Sequence, residues 1–420
     1  MTMKYSALVT SLLLLRVALP AGAQQGEQVR FAYDIDFEFL FENHESDAGG
    51  NAFIPSKTFF TARLTPSFGV DVRQGCRIDH RFMFGIDAVK DLGDNLPDAD
   101  ASTESRKLFK EFTMYYRLRA QVGATRFEGY AGIFPRYFLG TGLYRVKSAP
   151  RATYSDFTDY RPYGGAFLSE ERIFMDNNLD GMLIKAVRPR SYYEVGIDWM
   201  GMIADKRRER FECFSTGRSD VLNWLRLGWT ASLYHYANSA TVRGVVDNYL
   251  LEPFLQFRLE RALGFQEMAV RFSWVQRFSR DRRLNVDWDL MGGGLVTLDV
   301  RKWNLGIHNE TYYGAGLMPY YFDRDDGDNQ YGSDLYFGNP FYRIHKDPET
   351  PWYQIGGYNR LMLYYQPYVS DLLDFRIAAI FHYSDSATQG IDLSFQGWQQ
   401  MFTLIFHLDS SRTRRVSKSF

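Results

Sequence analysis

The residues at 31–42, FAYDIDFEFLFE, alternate in polarity with a period of two. Every second residue from Phe31 to Phe41 is large and apolar, and most of these residues are aromatic. Carboxylates occupy most of the alternate positions, from Asp34 to Glu42. Successive side chains point to opposite faces of a β-strand, so the segment predicts a strand with an apolar and an acidic face. A strand between lipid and water has this pattern, and a half-buried strand of a water-soluble sheet has it as well.

The same alternation recurs along most of the chain, which decides between these alternatives. It is clearest in the segments 61–72, 111–122, 192–201, 251–260, 267–277, 374–384 and 399–409. Aromatic residues make up 17% of the chain, and no apolar run after the N-terminus reaches the length of about 18 residues that a membrane helix needs. Backbone groups in lipid must pair internally, so such a sheet has to close. We therefore predict an all-β fold, a transmembrane antiparallel up-and-down β-barrel of about 16 strands, within a range of about 14–18.

The N-terminus has the features of an export signal. Lys4 precedes an apolar stretch, and Ala21-Gly22-Ala23 forms a small-residue cleavage site before Gln24. A single membrane anchor is the alternative, but Arg16 within the apolar stretch and the cleavage site argue against it. The predicted organisation is a signal peptide over 1–23, one barrel domain over 24–409 and a basic tail over 410–420.

The connections between the predicted strands are of two kinds. Short turns occur near 123–125, 188–190, 279–282 and 370–371, whereas long polar loops are predicted at 91–107, 138–180, 203–221 and 315–352. Short turns at one end and long loops at the other are typical of outer-membrane barrels. All the long loops fall at one end only if 284–300 forms two short strands that are separated by a break at Gly292–Gly294. Cys76 would then lie in a turn and Cys213 in a long loop at the opposite end, so no disulfide is expected between them.

The signal, the alternating strands and the unequal connections resemble porin-type outer-membrane β-barrels of Gram-negative bacteria, over roughly residues 30–409. The resemblance implies residence in the cell outer membrane, contact with its lipid and lipopolysaccharide, and assembly by barrel-assembly machinery. The 49 basic and 50 acidic residues balance, so no nucleic-acid partner is indicated. No P-loop, dinucleotide fingerprint or paired-cysteine motif occurs, and no cofactor is predicted. The sequence does not determine the oligomeric state.

Charged residues of both signs lie on the polar faces, which would point into the barrel. The residues predicted to line a pore are Asp34, Asp36, Glu38, Glu42, Arg63, Arg117, Arg119, Glu128, Arg136, Asp198, Arg258 and Arg271. Acids facing bases across water would create a transverse field and a constriction that selects solutes. The alternative is that the same residues form ion pairs between strands and brace the barrel.

A second candidate site is the HYSDS segment at 382–386. It is similar to the His-x-Ser-Asn signature of outer-membrane lipid A deacylases, which implies His382 as base and Ser384 as nucleophile. Asp385 stands in place of the asparagine, and both side chains fall on the predicted lumen face instead of the lipid face. A polar strand end without catalytic function is therefore favoured, and the protein is predicted not to be an enzyme.

A third candidate site is the acidic segment around Gly327. Asp323, Asp325 and Asp328 offer oxygen ligands of the kind that Ca²⁺ binds, but no glutamate occupies the twelfth position of an EF-hand loop. A solvated external loop is the favoured alternative, and no resident metal is predicted.

Three functions are compatible with these features. The first is a porin-like channel for diffusion of small hydrophilic solutes through a charged lumen. The second is a non-conducting scaffold for surface polysaccharide or envelope assembly, and the third is a lipid hydrolase that uses His382 and Ser384. The 138–180 loop separates the first two, since it would narrow or plug the barrel if folded inward and form a binding surface if ordered outward.

Overall fold

The structure is a computed structural model. It describes residues 28–46, 56–92, 109–140, 163–169, 176–205, 207–259, 264–283, 287–321, 323–324, 327–328, 331–343, 355–370, 372–385 and 393–410. The predicted signal peptide and almost all of the predicted basic tail lie outside these residues, and both remain predictions.

Sixteen antiparallel strands form one closed barrel. They are β1 Gln28–Ser46, β2 Lys57–Gln74, β3 Ile78–Asp91, β4 Phe109–Val122, β5 Thr125–Pro135, β6 Asn178–Arg188, β7 Ser191–Gly201, β8 Arg210–Asp220, β9 Leu225–Tyr236, β10 Val246–Arg258, β11 Glu267–Asp281, β12 Asp289–Lys302, β13 Leu305–Ala315, β14 Ile355–Tyr365, β15 Leu373–Asp385 and β16 Leu393–Asp409. Each strand pairs with its neighbours in sequence, and β1 pairs with β16 from Asp34–Asp409 to Ser46–Gly397. The predicted fold class and strand number are confirmed.

The helices within the described ranges are single turns. The longest of them, at Gly164–Phe167, Gly332–Leu335 and Pro340–Arg343, have four residues each. None of the helices in these ranges has the length and apolar character needed to cross a membrane.

The barrel wall has an apolar outer face and an inner face that is shielded from solvent. In β1, Phe31 is 62% exposed on the outside, whereas Asp36 is 3% exposed on the inside. On the outer face the Phe39 ring contacts the rings of Phe60 and Phe402, with centroid separations of 5.0 and 5.9 Å. Such an outer face is suited to lipid, so the aromatic face predicted from 31–42 meets the bilayer and its acidic face points into the barrel.

The two ends of the barrel differ in their connections. At the turn end, β4–β5, β6–β7 and β12–β13 are joined by two residues each. Trp303 and Asn304 of the last of these turns both have positive φ, 53° and 66°, as a tight hairpin turn with the right-handed strand twist requires. The loop end carries the connections 92–108, 136–177 and 316–354, and β11 also ends there at Asp281. The chain enters β1 and leaves β16 at the turn end, because the number of strands is even.

The predicted break at Gly292–Gly294 is wrong, because β12 runs without interruption from Asp289 to Lys302. The glycines make room for a side chain. A Cβ atom on Gly293 would lie 2.5 Å from the hydroxyl oxygen of Tyr312, and one on its partner Gly314 would lie 2.8 Å from the same oxygen. The glycine run therefore admits a buried tyrosine and does not end the strand.

The long loop predicted over 203–221 is also wrong, because it contains β8. The alternation of polarity in β8 is weak. Glu212, Phe214 and Thr216 point inward and Ser215 points outward, so an apolar residue lies on the inner face and a polar residue on the outer face. Cys213 is therefore a strand residue and not a loop residue, although it lies near the loop end of β8. Cys76 is exposed in the turn between β2 and β3, and both cysteines are free.

We expect a water-soluble maleimide to label Cys76 quickly and Cys213 slowly in detergent-solubilised or reconstituted protein. Cys76 is exposed in a turn, whereas Cys213 is half-buried on the lipid-facing side of β8. Mass spectrometry of peptides after timed labelling measures both rates, and the C76S variant isolates the reaction of Cys213. Equal labelling of the two thiols would contradict this placement of β8.

Candidate functional site

Parts of two long connections fold into the lumen of the barrel. We call the residues 136–140, 163–169 and 331–343 the lumen plug. The first two segments belong to the β5–β6 connection and the third to the β13–β14 connection. Tyr331, Leu335 and Tyr342 of the plug are fully buried, although none of them is in a strand. The sequence left the direction of the 138–180 loop open, and its described parts at 138–140 and 163–169 are folded inward.

The plug segments from the two connections bind to each other. The Ser169 amide donates to the Phe337 carbonyl at 2.7 Å, and the Asn339 amide donates to the Gly165 carbonyl at 2.7 Å. Gly338 lies against the backbone of Ala166, where an added Cβ would be 2.2 Å from the carbonyl oxygen. The two connections therefore form one unit inside the lumen.

Aromatic side chains of the plug pack on aromatic side chains of the wall. The pairs Tyr163–Phe214, Tyr234–Phe337, Tyr236–Tyr331 and Tyr312–Tyr342 have ring centroids 5.3 to 5.5 Å apart. The wall members of these pairs belong to β8, β9 and β13 and point inward. The sequence predicted a polar interior, and this part of the wall differs because its inward aromatics form a core with the plug.

Glu194 on β7 binds Gly140 and Tyr163, the plug residues on either side of 141–162. Its carboxylate accepts hydrogen bonds from the Gly140 amide at 3.0 Å and from the Tyr163 hydroxyl at 2.7 Å, and the Tyr192 hydroxyl is a third donor. Burial and the carboxylate raise the pKa of Tyr163 well above its ordinary value, so the hydroxyl keeps its proton. The Lys185 ammonium, which is fully buried, lies 3.8 Å from the carboxylate and donates to the Gly140 carbonyl at 2.9 Å.

Glu310 on β13 is a second anchor of the plug. It accepts a hydrogen bond from the Tyr342 hydroxyl at 3.3 Å and lies 3.2 Å from Nε2 of His308. Nδ1 of the same histidine lies 2.6 Å from Asp299, its cross-strand partner on β12. Gly165 of the plug is so near that an added Cβ would lie 2.9 Å from the Glu310 carboxylate.

Arg136 is a third anchor. It belongs to the single turn Arg136–Phe138 that follows β5 and not to a strand. Its guanidinium donates to Asp198 on β7 at 2.5 Å and to the Asp176 side chain at 3.2 Å, and it lies 5.9 Å from the centre of the Phe337 ring. One buried cation thus joins the wall to plug segments from both connections.

The charged residues predicted to line a pore all face the interior. Those that are buried are Asp34, Asp36, Glu38, Glu42, Arg63, Arg117, Glu128, Arg136 and Asp198. Those that are half-buried are Arg119, Arg258 and Arg271.

Many of these charges pair with a neighbour on an adjacent strand. Arg63 lies 3.7 Å from Glu38 and 3.1 Å from Asp87, and the Arg119 guanidinium donates to Glu128 at 2.7 Å. This pairing agrees with the bracing alternative and not with acids and bases facing each other across the barrel. Their lining of a conducting path stays a prediction.

A small polar chamber lies inside the barrel on the turn side of the plug. Its volume is about 40 Å³, and Gly164 and Ala166 of the plug form one side of it. The charged residues that line it are Glu252, Arg271, Asp299, His308, Glu310 and Arg376. Of these, only Arg271 was among the predicted pore residues. The others also lie on polar faces of their strands. Which charged residues from five strands meet in one space depends on how the strands are aligned in the barrel, and the local sequence does not show that alignment.

The His382–Ser384 pair lies inside the barrel, as its strand face predicted. Both residues are buried, and the ring of Phe341 from the plug stacks on His382 at 4.2 Å. The Tyr358 hydroxyl lies 3.2 Å from Nδ1 of the histidine. Neither side chain is open to the lipid, where a hydrolase would meet its substrate.

The acidic segment around Gly327 is only partly described, and Asp325 lies outside the described residues. Asp328 is exposed and pairs with Arg324 at 3.0 Å. Burial and the nearby Asp281 raise the pKa of Asp323 to about 6, which weakens it as a cation ligand at mildly acid pH. Among the described residues no group of three metal-ligating side chains is present, so they give the candidate calcium ligands no support.

Comparisons with known proteins give likeness at the level of the barrel. No family model matches the chain. A search of curated proteins finds no match. Among solved structures, OccD3 (OpdP) of Pseudomonas aeruginosa aligns with 10% identity and a TM-score of 0.43, covering 97% of this chain and 98% of that one. OprD of the same organism aligns with 10% identity and a TM-score of 0.45, covering 90% and 93%. A loop L8 deletion mutant of OmpT, an outer-membrane protein of Vibrio cholerae, aligns with 7% identity and a TM-score of 0.45, covering 91% and 99%.

The barrel's own hydrogen bonds and surface decide the fold. Sixteen strands close on themselves, the outer face is apolar, and short turns alternate with long connections. The chain has the fold of a porin-type outer-membrane β-barrel. This architecture is the one in which β-proteins span the outer membrane of bacteria, so the predicted location is confirmed.

Proposed function

We propose that the protein is an outer-membrane channel for small hydrophilic solutes, narrowed by the lumen plug. The observation that carries the proposal is the chamber beside the plug, where acidic and basic side chains line a space inside the barrel. Buried charges are costly, and a barrel that served only as a closed scaffold would be more stable with apolar residues there. Charges that line a solute path instead select what passes.

The wall opposite the plug aromatics extends this polar interior. Strands β1 to β3 carry the linked carboxylates and guanidiniums of Glu38, Arg63 and Asp87, and Arg81 pairs with Asp71 at 2.6 Å. Paired charges still present donors and acceptors to a hydrated solute, so this wall supplies a polar surface along the barrel axis. We assign selectivity to this wall together with the chamber.

The second candidate function is the non-conducting scaffold. The close packing of Phe341 on His382, and of Tyr342 on Tyr312, favours it, because a plug with an aromatic core resists displacement. The lipid hydrolase receives no such support, since His382 and Ser384 face the interior under the plug.

Conductance separates these two functions. We expect purified protein in planar bilayers to give small ohmic steps, because the plug leaves little of the barrel cross-section. Neutralising Asp34 and Glu38 together as D34N/E38Q should shift the ion selectivity towards anions, since two inward carboxylates are removed. Reversal potentials in a salt gradient measure the shift.

The matched control is D328N, which removes an exposed carboxylate outside the strands. It should leave both conductance and selectivity unchanged. Protein that is folded by circular dichroism and by heat-modifiable gel mobility, yet passes no current, would refute the channel and favour the scaffold.

A further inference from the structure

We propose that the chamber beside the lumen plug binds a small zwitterion, a solute that carries one ammonium and one carboxylate as a free amino acid does. The inference rests on the proposed channel function, because a solute has to enter the barrel to reach the chamber. It adds to that function the chemical class of the solute and the residues that hold it.

The charges of the chamber sum to about zero, which disfavours a simple anion or cation. Glu252, Asp299 and Glu310 are acidic, while Arg271 and Arg376 are basic. His308 lies between two carboxylates, with Nδ1 at 2.6 Å from Asp299 and Nε2 at 3.2 Å from Glu310. A ring flanked by two carboxylates takes the imidazolium form, so it supplies the third positive charge.

The guanidiniums and the carboxylates of the chamber come from different strands, so one ligand can meet both. Arg271 belongs to β11, and Glu310 belongs to β13, two strands further along the wall. Neighbouring strands lie about 4.8 Å apart, so the backbones of these residues are separated by roughly 10 Å. Both side chains line the chamber, so one small ligand can reach a guanidinium and a carboxylate at the same time.

Arg271 has hydrogen-bonding capacity left for a ligand. Its Nε atom is buried and has no hydrogen-bond partner. Its guanidinium lies 4.4 Å from the centre of the Phe254 ring, which holds the cation in place through a contact that consumes no N–H group. A buried donor without a partner is costly, and a ligand carboxylate would satisfy it.

The plug residues that border the chamber have small side chains or none. Gly164, Gly165 and Ala166 lie at this point, and the backbone of Gly164 has a φ of +59°. Larger side chains here would occupy the chamber or press on Glu310, to which a Cβ of Gly165 would come within 2.9 Å. A chamber of about 40 Å³ holds about three water molecules, and a zwitterionic head can replace them.

Isothermal titration calorimetry on the full chain in detergent tests the proposal with three probes: glycine, methylammonium chloride and sodium acetate. We expect glycine to bind, and the two half-ligands to bind at least about tenfold more weakly, because each meets only one sign of charge. R271Q and E310Q should each weaken glycine binding at least about tenfold. R271Q is the decisive variant, because Arg271 packs on Phe254 of the neighbouring strand, whereas Glu310 also accepts a hydrogen bond from Tyr342 of the plug.

The control D328N should bind glycine as the wild type does. The proposal is overturned if acetate or methylammonium binds as tightly as glycine, if glycine does not bind to folded protein, or if R271Q leaves glycine binding unchanged. These results are independent of conductance. A conducting protein that does not bind glycine loses only this site, and a glycine-binding protein that does not conduct loses only the channel.

Discussion

Replacing Glu194 with alanine is expected to destabilise the protein by about 3–5 kcal/mol and to release Gly140 and Tyr163 of the plug from the wall. The carboxylate is the common acceptor for the Gly140 amide and the Tyr163 hydroxyl. Its removal also takes the nearest carboxylate, 3.8 Å away, from the fully buried Lys185 ammonium and leaves it with Glu128 on β5. Breaking a buried ion pair is among the largest single-residue costs in a folded protein.

Limited trypsin digestion measures the release at Arg136, which is 5% exposed and belongs to the same plug segment as Gly140. The E194A variant should be cleaved after Arg136 faster than the wild type, and its gel mobility should change from folded to unfolded at a lower temperature. E194Q should fall between the two, since its amide oxygen still accepts hydrogen bonds. The exposed D328A variant is the control, and cleavage of E194A at the wild-type rate would show that Glu194 does not hold the plug.

Replacing Gly338 with alanine is expected to separate the two plug connections at a cost of about 1–3 kcal/mol. The added Cβ would lie 2.2 Å from the Ala166 carbonyl oxygen and 2.9 Å from its carbon, a clash with backbone that no side-chain rotation relieves. The neighbouring hydrogen bonds, from Asn339 to Gly165 and from Ser169 to Phe337, should lengthen or break. The plug should then occupy the lumen less fully.

Two readouts follow this change. Trypsin should cleave G338A faster after Arg343, which is only 8% exposed in the intact plug, and the single-channel conductance should rise. G129A is the matched control, because a Cβ on Gly129 would meet nothing within 4 Å. A G338A variant that resists trypsin and conducts as the wild type does would mean that the two connections do not depend on each other.

The position of Glu310 connects the chamber with the plug. The same carboxylate lines the chamber, accepts the Tyr342 hydroxyl and lies against Gly165. The geometry of the chamber therefore depends on the plug being in place, and variants that release the plug also remove one side of the chamber.

Local sequence was sufficient for the barrel wall wherever the alternation was clean. In 31–42 it determined which residues meet lipid and which point inward, because the two-residue period of a strand leaves no other arrangement. It is insufficient in β8, where an inward phenylalanine and an outward serine blur the alternation, and at Gly292–Gly294, where the glycines predict a break that the strand does not have. Those glycines on β12 accommodate the side chain of Tyr312 from β13, and the local sequence does not show which side chain of another strand lies against them.

The candidate site was predicted only in part for the same reason. Arg271 and Asp36 were assigned to the interior by strand periodicity, whereas the role of Glu194 required knowing that Gly140 and Tyr163 fold back to the same carboxylate. The direction of a long loop is set by contacts between segments far apart in sequence, such as Phe337 with Tyr234.

The sequence by itself thus determined a closed lipid-facing barrel with charged residues inside, because bilayer and backbone chemistry act on each strand locally. Only the tertiary structure decided that the interior is filled by a plug, which charges are paired, and where a polar chamber remains. Those outcomes depend on strand register and on side chains that meet across the lumen, and neither has a local period in the sequence.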